Sequence, residues 1–151
     1  MTVYRITKEE FADQLMSSGR ANRWNKNEQH VIYASGSISL CALELLAHSA
    51  GIKPAGAYCI MHIKIEPTAD ITNVSSESLP GNWQELSGYP YTQQLGSSWY
   101  ESKQSLVLKI PSAIISQENN FILNKVHPDF ESKVQHFDTT DFIWDHRFPE
   151  N

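Results

Sequence analysis

From Gln29 to Ile52 the chain carries one formally charged side chain, Glu44. No other stretch limits the fold as strongly. Val31-Ile-Tyr-Ala34 is a compact β-branched and aromatic run, read as a buried strand. After the turn residues Ser35-Gly-Ser37, the segment up to His48 reads as a helix with Ser37 as N-cap, ending near Ala50-Gly51, with Pro54 barring continuation. A carboxylate in so apolar a helix costs free energy unless a partner meets it. Two arrangements stay open: a surface pair with His48, four residues on, or a carboxylate facing a cavity, where it can stabilise a developing cation or move a proton.

A chain of 151 residues, 40% hydrophobic and 11% aromatic, suffices for one domain, 1–151, with a core of its own. The net charge of −5 argues against general nucleic-acid binding, which calls for a basic excess. The first ten residues lack a basic segment followed by an apolar one, and the 29–52 stretch is interrupted by Ser-Gly-Ser, so neither secretion nor a membrane span is expected. Two cysteines, Cys41 and Cys59, form no disulfide framework, and the expectation is a cytoplasmic protein.

The remaining elements give an α+β chain of about six strands and three helices. Thr2–Ile6 alternates as a short strand. Thr7-Lys-Glu-Glu10 reads as a capping box opening a helix to about Met16, closed at Gly19. Ala57–Glu66 is the clearest strand, with Tyr58, Ile60, His62 and Lys64 on one face and Cys59, Met61, Ile63 and Ile65 on the other. Residues 67–91 read as a long surface connection, 92–104 as a helix, 105–110 and 120–124 as strands, 129–133 as one helical turn and 142–148 as a last strand.

Several chemistries are excluded directly. Neither G-x-G-x-x-G nor G-x-x-x-x-G-K-[ST] occurs, so phosphates would be held by side chains, with Arg5, Arg20 and Arg23 as donors. Cys59-Ile-Met-His62 has a familiar spacing, but on a strand its two ends point to opposite faces, and no metal is expected. Gly96-Ser-Ser-Trp-Tyr100 ends in Tyr where a nucleophile elbow needs Gly.

Several segments together carry a resemblance. Tyr4-Arg5, the loop Gly19–Asn25 ending Arg-Trp-Asn, Val31-Ile-Tyr-Ala34 and Ala42-Leu-Glu-Leu-Leu-Ala-His48 resemble the RES domain family. So do Leu95-Gly-Ser-Ser-Trp99, Val107–Ala113, Glu118–Asn124 and His127-Pro-Asp-Phe130. The similarity runs from Tyr4 to about Phe148, with Lys125 standing where many members have proline. It implies a single compact domain with a mixed or antiparallel sheet, resembling ADP-ribosyltransferase toxins. It also implies the toxin of a type II toxin–antitoxin pair, partnered by an Xre-type helix-turn-helix antitoxin, with a homodimer admitted. The implied activity is depletion of NAD+ by phosphorolysis to nicotinamide and ADP-ribose 1''-phosphate, with NAD+ and inorganic phosphate as substrates and no cofactor. The alternatives are protein ADP-ribosylation or a non-enzymatic antitoxin-binding module. The resemblance assigns Arg5, Tyr33, Glu44 and Ser112 to catalysis, and Arg23, Trp24, Asn25 and Asn124 to NAD+ binding. Ser97 and Ser98 compete with Ser112 for the family serine, and Ser112 is expected on the nicotinamide side.

Overall fold

In the computed structural model, which describes residues 1–150, every strand belongs to one sheet. The strands are β1 (Thr2–Lys8), β2 (Val31–Ser35), β3 (Tyr58–Ile65), β4 (Ile71–Asn73), β5 (Val107–Pro111), β6 (Asn119–Asn124) and β7 (Val134–Phe142). Their order is β4-β5-β6-β2-β1-β3-β7, antiparallel throughout except for the parallel pair β4–β5. Three α-helices join them: α1 (Ile38–His48), α2 (Tyr89–Ser102) and the single turn α3 (Phe130–Lys133).

The period of two along each strand sorts side chains into separate cores. Ile32, Ala34, Met61, Ile63, Phe121 and Leu123 share one cluster. Their sequence neighbours Val31 and Ile122 join Leu108, Ile110, Trp24, Trp83 and Trp99 in a second. A third, smaller cluster sets Ile6, Tyr58 and Ile60 against Cys41 of α1. The central strands are therefore buried on both faces, and this is why β2 and β6 read as continuous apolar runs.

One irregularity creates the site. β1 and β3 pair over seven positions, from Thr2↔Lys64 to Lys8↔Tyr58, whereas β1 and β2 share only Tyr4↔Ser35. Beyond that pair β1 has no ladder partner on the β2 side. The Ile6 amide donates instead to Cys41 Sγ of α1, at 3.1 Å. Arg5 and Ile6 on one bank, with Tyr33, Ala34 and Ser35 on the other, then line a cavity.

Three expectations are corrected. The helix expected over 7–16 is absent: β1 runs on through Thr7 and Lys8, and only a 3-10 turn, Glu9–Phe11, follows. Ladder bonds to β3 at Thr7↔Cys59 and Lys8↔Tyr58 displace the local capping box. The final strand covers Val134–Phe142, not 142–148, because β3 offers its whole length as template, from Ile65↔Val134 to Tyr58↔Phe142. The 67–91 stretch is not one unbroken connection: it holds β4 and the first residues of α2, and Val74, Leu79 and Trp83 anchor it in the second core.

Candidate active site

Ser37 caps α1 as the sequence implies, its hydroxyl accepting from the Leu40 amide at 3.1 Å. The helix then presents Glu44 to two adjoining cavities, of about 430 and 200 Å³, which share Tyr33, Glu44, His48 and Asn120 among their walls. The larger opens between Arg5, Arg20, Ser35 and Cys41; the smaller lies between Arg23, Tyr89 and Ile114. A larger cavity, about 680 Å³, lies elsewhere, around Lys53, Tyr58 and Trp144, and contains none of the sequence-nominated residues.

Glu44 makes no ion pair with His48, so the surface-pair arrangement is not adopted. Its Oε1 instead accepts two hydrogen bonds, from Ser112 Oγ at 2.8 Å and from Asn120 Nδ2 at 2.5 Å. Oε2 has no protein partner among the described residues. One carboxylate oxygen is thus held while the other stays available.

Ser112 is fully buried in the turn that follows β5. Its hydroxyl accepts from the amides of Ile114 (3.0 Å) and Ile115 (3.1 Å) and donates to Glu44. That fills the hydroxyl's capacity. The Ser112 hydroxyl, expected on the nicotinamide side, is thus committed in this structure to Glu44 and to the two turn amides. Ser97, also buried, accepts from Gln29 Nε2 and donates to Glu101, and Ser98 is exposed on α2; neither reaches Glu44.

The arginines flank this carboxylate. Arg5 uses one donor, Nη1, on the Met16 carbonyl at 2.9 Å; burial pulls its pKa down, opposed by the Cys41 thiol. Arg23 donates through Nη1 to the Trp83 carbonyl at 2.8 Å and lies over the Tyr89 ring, 4.5 Å from its centroid. Among the described residues no carboxylate lies within ion-pairing distance of Arg5, Arg20 or Arg23. Arg5 and Arg23 are half-buried and Arg20 is exposed; half-buried cations without anionic partners favour an anionic ligand.

Tyr33 stands between the cavities with its hydroxyl tied back, donating to Asn25 Oδ1 at 2.8 Å and accepting from the Trp24 amide at 3.2 Å. Burial pushes its pKa up, so it is a neutral phenol at ordinary pH. The other nominated residues stand behind the site. Asn25 is buried and bonds Tyr33 and the carbonyls of Arg20 and Lys26. Trp24 is 2% exposed and packs 6.1 Å from Trp83, although it edges the smaller cavity. Asn124 lines neither cavity; its amide donates to the Tyr100 carbonyl and accepts from Val126. Sequence reasoning missed Ser35 and Asn120, which face each other across β2 and β6 and join the Glu44 network.

The RES domain family model matches residues 2–145. This chain belongs to the RES domain family. A protein described as Toxin Res from Photorhabdus laumondii is 30% identical over 151 residues, covering 97% of this chain and 96% of the relative. A "Prs ADP-ribosylating toxin" from Sphingobium sp. is 29% identical over 123 residues, covering 78% of this chain and 76% of that one. The RES fold here also matches a chain in the crystal structure of the M. tuberculosis MbcT–MbcA toxin–antitoxin complex, with a TM-score of 0.73 at 17% identity, over 93% of this chain and 83% of that chain.

Proposed function

We propose that this RES-domain protein is the toxin of a toxin–antitoxin pair and that it breaks the nicotinamide–ribose bond of NAD+. The carrying observation is Glu44, pinned through Oε1 with Oε2 free, where two arginine-flanked cavities meet. As that bond lengthens, its electron pair moves to the pyridinium nitrogen and positive charge builds on the ribose carbon, as in glycoside cleavage. A carboxylate already in place stabilises that charge without reorganising. Nicotinamide leaves as a neutral base, so no general acid is needed, and Tyr33 as a neutral phenol fits a binding role. Arg5 and Arg23 suit the pyrophosphate or an incoming phosphate, whose oxygen would form the new bond to carbon in a phosphorolysis.

NAD+ and inorganic phosphate would be substrates, with no cofactor. The similarity to Toxin Res and to the fold of the MbcT–MbcA structure supports an antitoxin partner, and the reading takes that antitoxin to be of the Xre helix-turn-helix type. The test is incubation of the purified protein with NAD+, with and without phosphate. Phosphorolysis gives nicotinamide and ADP-ribose 1''-phosphate at a rate that depends on phosphate. Free ADP-ribose at equal rates contradicts it in favour of hydrolysis. ADP-ribose bound to protein is the second reading, favoured by the described activity of the Sphingobium relative.

A further inference from the structure

Asn120 has no part in the expectations drawn from sequence, yet its amide touches the residue on which the proposed chemistry depends. It is the second residue of β6, opposite Ser35 in the β2–β6 register. Its Nδ2 donates to Glu44 Oε1 at 2.5 Å, and its Oδ1 accepts from Ser35 Oγ at 2.7 Å. We propose that Asn120, oriented by Ser35, is a positioning residue that fixes Glu44 so that Oε2 faces the substrate; this rests on the NAD+-cleaving reading above.

The orientation of the amide follows from what each neighbour can do. An ionised carboxylate only accepts, so the end of Asn120 nearest Glu44 must be its NH₂ group. The carbonyl end then faces Ser35, whose hydroxyl has to be the donor. Ser35 is itself 4% exposed and so loses its competing water contacts. Two donors, Ser112 and Asn120, converge on one oxygen of Glu44 from β5's turn and from β6. Together they oppose rotation of the carboxylate about its last torsion, which is otherwise broad. Asn120 also borders both cavities, so losing its hold would disturb the carboxylate where they meet.

The obvious bland alternative is that Asn120 only closes the β2–β6 pair. Kinetics separate the two. Asn120→Asp keeps the shape of the side chain but places an acceptor against Glu44. It is expected to lower kcat for nicotinamide release by about 10–100-fold, the usual cost of losing a group that orients a working ligand, with KM changed by about twofold or less. Ser35→Ala is expected to lower kcat in the same sense, and Ser35→Thr, which keeps the hydroxyl, to restore it. Wild-type kcat in Asn120→Asp, or Ser35→Thr as slow as Ser35→Ala, overturns the proposal. A crystal structure of Asn120→Asp supplies a readout independent of turnover: Glu44 is expected to leave its place beside Ser112. If the wild type releases no nicotinamide, the functional reading fails, and the position of Glu44 in that structure decides the role of Asn120 alone. An unmoved Glu44 overturns it.

Discussion

Ser112 and Ser97 are both buried serines in segments that resemble the family, but their contacts give them different consequences. Ser112→Ala removes a donor from Glu44 and an acceptor from two backbone amides. It is expected to slow NAD+ cleavage by about 10–100-fold and to cost about 1–3 kcal/mol of stability, read by initial rates and urea denaturation. Ser97→Ala touches only Gln29 and Glu101 and is expected to leave turnover unchanged in the same assay. At Tyr33, Phe would leave the Trp24 amide and Asn25 Oδ1 without their shared hydroxyl, and a loss of about 1–3 kcal/mol is expected from urea denaturation. Glu44 was legible in the sequence because a lone charge in an apolar helix demands a partner. The partner was not legible, since Asn120 and Ser112 lie 76 and 68 residues away and meet Glu44 only through strand order. Asn25 and Asn124 illustrate the converse: both sit in recognisable motifs, yet the NH₂ group of each donates to backbone carbonyls.

At the scale of elements, α2 and the loop before β2 lock together at one glycine. A Cβ on Gly96 would lie 1.8 Å from the Trp24 carbonyl oxygen, a backbone atom that cannot swing aside. Gly96→Ala is expected to destabilise the fold by about 2 kcal/mol or more through overpacking. Gly81→Ala, where nothing lies within 4 Å, is expected to change stability by less than about 0.5 kcal/mol in the same melts. Elements with strong local signals were readable: β3 from its alternation, α1 from its cap, and α2 from Leu95 and Trp99. In α2 the start lay earlier than expected, because Pro90 falls in the first turn, where its missing amide costs nothing. The failures were elements decided by a neighbour. Thr7 to Met16 had the local pattern of a helix, but Thr7 and Lys8 gain ladder bonds to β3. β7 is a largely exposed edge strand, Val-Gln-His-Phe-Asp-Thr-Thr-Asp-Phe, whose polar outer positions erase any periodic signal. β4, three exposed residues, exists only because β5 pairs with it.

Across the whole molecule, the parting of β1 from β2 both opens the site and creates a pH liability. Cys41, which satisfies the orphaned Ile6 amide, has its thiol pushed up to about 11, chiefly by burial, with that amide pulling the other way. In the unfolded chain the thiol loses its proton first, so rising pH favours unfolding. The stability that the protonated thiol supplies is complete below about pH 8.5 and is lost on the way to pH 11, a decline of about 2–3 kcal/mol from this group. Urea denaturation at pH 7.5 and 10.5 checks it, and Cys41→Ala is expected to be less stable at pH 7.5 with a shallower decline. The same opening brings Arg5 of β1, Tyr33 of β2, Glu44 of α1 and Arg23 of the preceding loop around adjoining cavities, and everything claimed for function depends on the carboxylate among them. The most direct test is nicotinamide release from NAD+, in phosphate buffer, by the wild type and by Glu44→Gln at matched folded concentration. The expected result is release by the wild type and a rate about 10²–10³-fold lower in the variant, with an unchanged melting profile. Equal rates from the two proteins, or no nicotinamide from the wild type, would contradict it.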